Sequence, residues 1–160
     1  MRIFFWLFSL FGGLVGCSTT PAESKPFLLQ AAHLQKISNW LSIHYGEVRL
    51  LYFWVSYHRN CVPDLLVLNQ VQTLFPSNQF SLLTINLDPN GIINLKTLIE
   101  KYPLKFPVLI GGEDICSIYH ITALPKLVLL NPQNQCVFEA DGSISLEILK
   151  QQIQSYLPSK

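Results

Sequence analysis

The sequence predicts an α/β fold in three layers, with helices on both faces of a mixed central sheet. Three observations predict it. The runs "VRLLYFWV" (residues 48–55) and "FSLLTINLD" (residues 80–88) are apolar with almost no polar alternation, as strands covered on both faces are. Segments with helical spacing separate the early strands, so right-handed crossovers make that part of the sheet parallel. Late in the chain "KLVLL" and "CVFEA" flank the turn "NPQNQ" and add an antiparallel edge.

The elements follow in order. From Leu28 to Tyr45 the apolar positions Leu34, Ile37 and Leu41 recur at helical spacing, and Gly46 offers a stop. Val48 to Val55 is the central strand. Pro63 fits the first turn of the next helix, where its missing N–H has no partner in any case, and Leu65, Leu66, Leu68, Val71 and Leu74 carry that helix towards Pro76. A strand in "FSLLTINLD" is followed by a helix in "IINLKTLIEKY", a short extended segment in "FPVLI" and a short helix in "EDICSIYHI". The amphipathic segment "SLEILKQQIQSYL" closes the fold after the hairpin.

Composition narrows the class. Hydrophobic residues make up 49% of the 160 residues and charged residues only 13%, too apolar for a disordered chain and enough for one domain. The formal charge is +1, so no net field gathers phosphates, and nucleic acid is not expected as a partner. There is no internal repeat and no Gly-rich phosphate loop; the pair Gly111 and Gly112 reads as turn chemistry.

The N-terminus has the layout of a secretory signal, with Arg2, an apolar stretch from Ile3 to Leu10, then small residues. Leu14, Val15, Gly16 and Cys17 resemble the bacterial lipobox. That resemblance implies a signal peptide over residues 1–16, a diacylglycerol on Cys17 and a lipidated tether over 17–27, ahead of a domain at 28–160. The competing readings are an ordinary cleaved signal and an uncleaved anchor. Ser18 after the cysteine points to the outer membrane under the usual enterobacterial sorting habit. The expectation is a protein of the bacterial envelope, held on the membrane by lipid and facing the periplasm.

The stretches "LLYFWVSYHRNCVPDLLVLNQV", "LLTINLD" and "KFPVLIGGEDICSIYHITALPKLVLLNPQNQCVFEADG", with the last helix, resemble the thioredoxin-like proteins of the TlpA and redoxin group. These are anchored thiol-disulfide oxidoreductases of the bacterial envelope. The resemblance covers roughly residues 48 to 157 and implies a thioredoxin-like three-layer sandwich. The family's active segment runs Phe-Trp-Ala-x-Trp-Cys-x-x-Cys with an acid three residues later. On this chain Phe53 and Trp54 match, Tyr57 stands for the second aromatic, and His58 occupies the first cysteine's position. Cys61 matches the second cysteine and Asp64 the acid, while Leu124 and Pro125 fall where the family has a residue and then a cis-proline.

One sulfur of the pair is therefore absent. In such a pair the first thiolate, stabilised at the helix N-terminus, attacks the substrate disulfide, and the second resolves the mixed disulfide. A chain that keeps only the second cannot close that cycle with an internal bond. Any redox work is then monothiol work at Cys61, completed by an external thiol, with protein or peptide thiols of the envelope as partners and no cofactor.

Each site residue has a plainer reading beside the functional one. Cys61 is either a single reactive thiol or a small buried hydrophobe. If the helix already includes His58, its imidazole shares a face with the thiol and lowers its pKa; otherwise it caps the turn. Asp64 passes protons or supplies charge in a helix's first turn. Pro125, Leu124, Trp54 and Tyr57 line a groove for an extended peptide, or serve as packing. His58 and Cys61 do not close a metal site, His120 is the only further candidate, and no metal is expected. His33 and His44 lie on the first helix and read as solvated. A bridge between Cys116 and Cys136 is a possible structural crosslink. Two competitors remain: a non-catalytic binding module and a thiol peroxidase. Peroxidase chemistry lacks the family's Thr or Ser and Pro, since His58 and Trp54 occupy those positions.

Overall fold

The computed structural model of the protein describes residues 25–89 and 91–157. Cys17, the proposed signal peptide and most of the proposed tether lie outside the described residues.

Among the described residues ten elements follow in the order the sequence predicts: α1 (Lys25–Ile43), β1 (Val48–Trp54), α2 (Cys61–Leu74), β2 (Phe80–Asn86), α3 (Gly91–Lys101), β3 (Val108–Ile110), α4 (Glu113–Ile118), β4 (Lys126–Leu130), β5 (Cys136–Asp141) and α5 (Leu146–Tyr156). Helix α1 begins at Lys25, so its first turn takes in the end of the segment assigned to the tether. Gly46 sits at φ +88°, a left-handed conformation that glycine adopts freely, and turns the chain from α1 into β1.

The sheet order is β3-β2-β1-β4-β5. Strand β1 is central, parallel to β2 and antiparallel to β4, and β5 forms the far edge. All seven residues of β1 and of β2 are buried, which is why these segments carry no polar alternation.

Successive residues of β1 point to opposite faces. Leu50, Tyr52 and Trp54 enter one core with Leu65, Leu68 and Val71 of α2 and Leu149 and Ile153 of α5. Leu51 and Phe53 enter the other with Ile37 of α1 and Ile115 of α4. Helices α2 and α4 therefore lie on opposite faces of the sheet.

Three features depart from the sequence expectations. Arg49 is 1% exposed within the central strand, and its guanidinium donates to the carbonyls of Leu41 (2.9 Å) and Asn131 (3.1 Å). A buried charge survives there because backbone oxygens at the end of α1 and after β4 receive it. His44 lies just past α1 and is half-buried rather than solvated: its Nδ1 is 2.8 Å from Ser81 Oγ and 3.1 Å from Glu47 Oε2, and Ser81 Oγ also donates to Glu47. His33 likewise has its Nδ1 shielded from solvent. Gly111 is more than turn chemistry. A Cβ there would stand 2.7 Å from Leu87 Cδ2 and 2.8 Å from Ile85 Cγ2, so any other residue would have to push these side chains aside where the chain passes the end of β2 on its way into α4.

Candidate functional site

The site forms where β1 and β2 end side by side and α2 begins. After Trp54 the chain turns through residues 55–60: the N–H of His58 donates to the Val55 carbonyl (3.3 Å) and that of Cys61 to the His58 carbonyl (2.9 Å). Helix α2 starts at Cys61, so His58 is not within it and the two side chains do not share a helical face. The Asn60 N–H donates to His58 Nδ1 at 3.3 Å. In the neutral ring that acceptor role leaves the proton on Nε2.

Cys61 is 3% exposed and belongs to the core cluster with Trp54 and Leu65. Two buried carboxylates flank it. Asp64, in the first turn of α2, accepts from Tyr52 Oη at 2.7 Å and from Ser143 Oγ at 2.9 Å, and Asn60 Nδ2 donates to the same Ser143 Oγ at 2.9 Å. This network ties the loop before α5 to the start of α2. Asp88, two residues beyond β2, accepts from the Ser56 N–H at 2.9 and 3.1 Å and from Asn86 Nδ2 at 3.2 Å. It holds the turn between β1 and α2 against the end of β2.

The electrostatic consequence is one-sided. Burial first, then the charges of Asp88 and Asp64, push the Cys61 thiol from 9.0 up to about 12. Burial and the bond to Asp64 push the Tyr52 hydroxyl upward as well. A thiol pushed up in this way keeps its proton at neutral pH, beside carboxylates whose hydrogen bonds are made elsewhere, the opposite of an activated nucleophile.

On the outer side of the same turn lies a cleft of about 300 Å³, with His58, Tyr57 and Leu124 among its lining residues. The peptide bond Leu124-Pro125 is cis. Tyr57 is 75% exposed, and Thr122 and Ala123 are exposed as well. Among the described residues, no backbone hydrogen bond involves Thr122, Ala123 or Leu124. Thr122, Ala123 and Cys116 of α4 also line the cleft.

The structure thus brings Cys61, Asp64, Tyr57, His58, Leu124 and Pro125 to one end of the sheet, divided between two environments. Cys61, Asp64 and Pro125 are buried; Tyr57, His58 and Leu124 line the cleft. Trp54, expected in the groove, is 1% exposed and packs in the core, because its place in β1 turns it towards α2. Cys116 and Cys136 are both free thiols, and the bridge considered between them is absent; Cys136 Sγ instead donates to Glu139 Oε1 at 3.2 Å. Sequence reasoning missed Asp88, Tyr52, Ser143 and the position of Cys116. A signal existed for Asp88, an acid at the carboxyl end of a buried strand, which is where open α/β sheets gather their functional groups.

Comparison with known proteins agrees with this architecture. No family model matches the chain. It is 26% identical over 113 residues to the thiol-disulfide oxidoreductase ResA of Bacillus thuringiensis subsp. konkukian, covering 70% of this chain and 62% of that protein. The chain therefore spans about three fifths of the length of the ResA relatives that it matches. It is 25% identical over 158 residues to the sporulation thiol-disulfide oxidoreductase A of Bacillus subtilis, covering 94% of each. The crystal structure of StoA from Bacillus subtilis superposes with a TM-score of 0.59 at 26% identity, covering 67% of this chain and 82% of that one. This chain has a thioredoxin-like fold and is similar to TlpA-like thiol-disulfide oxidoreductases. In this chain the three described cysteines are all free, so the thiol at the head of α2 has no disulfide partner among the described residues.

Proposed function

We propose that this chain is a thiol-disulfide oxidoreductase of the bacterial envelope that has lost the dithiol cycle. His58 takes the attacking cysteine's place, Cys61 is a sheltered single thiol, and the cleft beside Leu124 receives an extended polypeptide. Residues 1–16 are a lipoprotein signal peptide, Cys17 carries the lipid, the residues to about 27 form the tether, and the domain faces the periplasm from the outer membrane. Partners are protein or peptide thiols. The observation that carries this reading is the start of α2, where a lone thiol that is 3% exposed follows His58 by three residues and neighbours Asp64.

Exchange at Cys61 would be a monothiol step, in which the sulfur joins one half of a disulfide and an external thiol later releases it. A second reading, a binding module without redox work, is favoured by the same burial and by a thiol pushed up to about 12. Peroxide reduction fits least, since it requires a thiolate open to the peroxide.

The test is insulin disulfide reduction by the wild type and by His58→Cys under excess reductant. Wild type is expected to give no turnover beyond the reductant alone. His58→Cys is expected to form a reversible disulfide with Cys61 and to gain turnover. Dithiol-type turnover by the wild type would overturn the proposal.

A further inference from the structure

The end of the sheet away from Cys61 holds a cation without a counter-ion among the described residues. Arg49 stands near the start of β1, about 17 Å of strand before Trp54, and is 1% exposed. Among the described residues the ion pairs are His44 with Glu47 and Lys126 with Glu139, and neither includes Arg49. Glu47 acts on it only from beyond bonding distance, its carboxylate being engaged by Ser81 and His44. The Leu41 and Asn131 carbonyls take one N–H from each Nη, and Nε is buried without a partner. A guanidinium carries five N–H groups, so three remain uncommitted.

Arg49 borders a cleft of about 170 Å³ between the last turns of α1 and the β4–β5 turn, walled by Ser38, Leu41, Ser42, Tyr45 and Asn134. The Tyr45 ring covers the guanidinium, with 5.9 Å from Arg49 Cζ to the ring centroid, yet Tyr45 itself is 68% exposed. A side chain so exposed changes rotamer freely. We infer that this cleft binds a small carboxylate on the Arg49 guanidinium, with the Tyr45 ring as a cover that the ligand moves aside.

Several features select that class. A guanidinium presents N–H groups side by side, which match the two oxygens of a carboxylate. The last carbonyls of α1 lie at this end of the molecule and carry negative partial charge, so one buried cation balances a monoanion better than a phosphate dianion. Leu41 and Tyr45 give a short apolar stem a wall to lie on, and Asn134, exposed at φ +67° in the turn, brings an amide donor to the rim. Burial lowers the pKa of Arg49, but a guanidinium stays protonated throughout the neutral range, so the charge is there to be paired. Binding replaces an unpaired buried cation by an ion pair, which is the source of the affinity.

The test follows the Arg49 Nε–H signal of the full-length protein by nitrogen-15 NMR during titration with sodium propionate, sodium chloride and inorganic phosphate at equal ionic strength. Arg49→Lys assigns the signal by its loss. Propionate is expected to move the signal saturably in the millimolar range, and chloride to leave it in place. Tyr45→Ala removes the cover and should tighten propionate about threefold, the worth of one exposed cation–π contact. Arg49→Lys keeps the charge but loses the side-by-side donors, and should weaken propionate about tenfold, read on the Asn134 amide.

An Nε–H signal that propionate does not move, or that chloride moves equally, would overturn the inference. So would saturation by phosphate with propionate silent, since the carboxylate assignment then fails. A Tyr45→Ala variant that binds propionate less tightly than wild type would contradict the ring's place as a cover.

Discussion

The inner and outer sides of the turn at residues 55–60 differ in how their polar groups are satisfied. On the inner side, the carboxylates of Asp64 and Asp88 are buried and bonded to Tyr52, Ser143, Ser56 and Asn86. On the outer side, a few residues away in the chain, Tyr57, Thr122 and Ala123 are exposed, and the rim residues leave their backbone unbonded. The inner side spends its polar groups on holding one shape; the outer side keeps them available. Substitutions should therefore separate, with the inner side setting stability and the outer side setting what binds.

The largest effect is expected in the inner core. Leu65→Ala, beside Cys61, should lower stability by about 3 kcal/mol, as buried leucine truncations do, measured by urea unfolding. Next comes Asp64→Ala. It strands the Tyr52 hydroxyl, which is buried, and should cost about 2 kcal/mol in the same assay. A loss as small as that of a surface substitution would show that the network does not seal the site.

A pH series sharpens the same contrast. Cys61 keeps its proton to a higher pH folded than unfolded, so raising the pH from 9.0 towards about 12 favours the unfolded chain. Stability should be independent of this thiol below that window and fall through it. Cys61→Ala should flatten the fall in part, and Tyr52, shifted in the same direction, should leave a residual slope. The smallest effect belongs to the outer side. Thr122→Ala should stay within about 0.5 kcal/mol of wild type, because an exposed side chain without an internal bond contributes little to the fold.

The fold was legible because its signals are strong ones. Two unbroken apolar runs fixed the central parallel strands, "NPQNQ" fixed the hairpin, and α4 and α5 followed from short-range spacing. The position of Cys61 at a strand-to-helix junction was legible for the same reason. The orientation of side chains at that junction was not. Whether His58 lies within α2 depends on where a helix starts, and one residue changes the face it presents. Trp54 turned inward because strand alternation assigns it to the α2 core, a parity that the run "LLYFWV" does not declare when both faces are apolar. Asp88 and Cys116 come to the site from elements far apart in the chain, and only the sheet order brings them near. Arg49 escaped notice because its partners are backbone carbonyls, which no sequence pattern displays.

The central claim is that the thiol at the start of α2 is sealed and protonated. Its most direct test is the rate at which Cys61 is alkylated by iodoacetamide as a function of pH in the native protein, followed by mass mapping in a Cys116→Ser, Cys136→Ser background. The rate is expected to be slow at neutral pH and to keep rising beyond about pH 10 without a plateau, as a thiolate population that is still growing requires. A plateau reached by about pH 8, marking a thiol ionised below the ordinary value of about 8.5, would contradict the account.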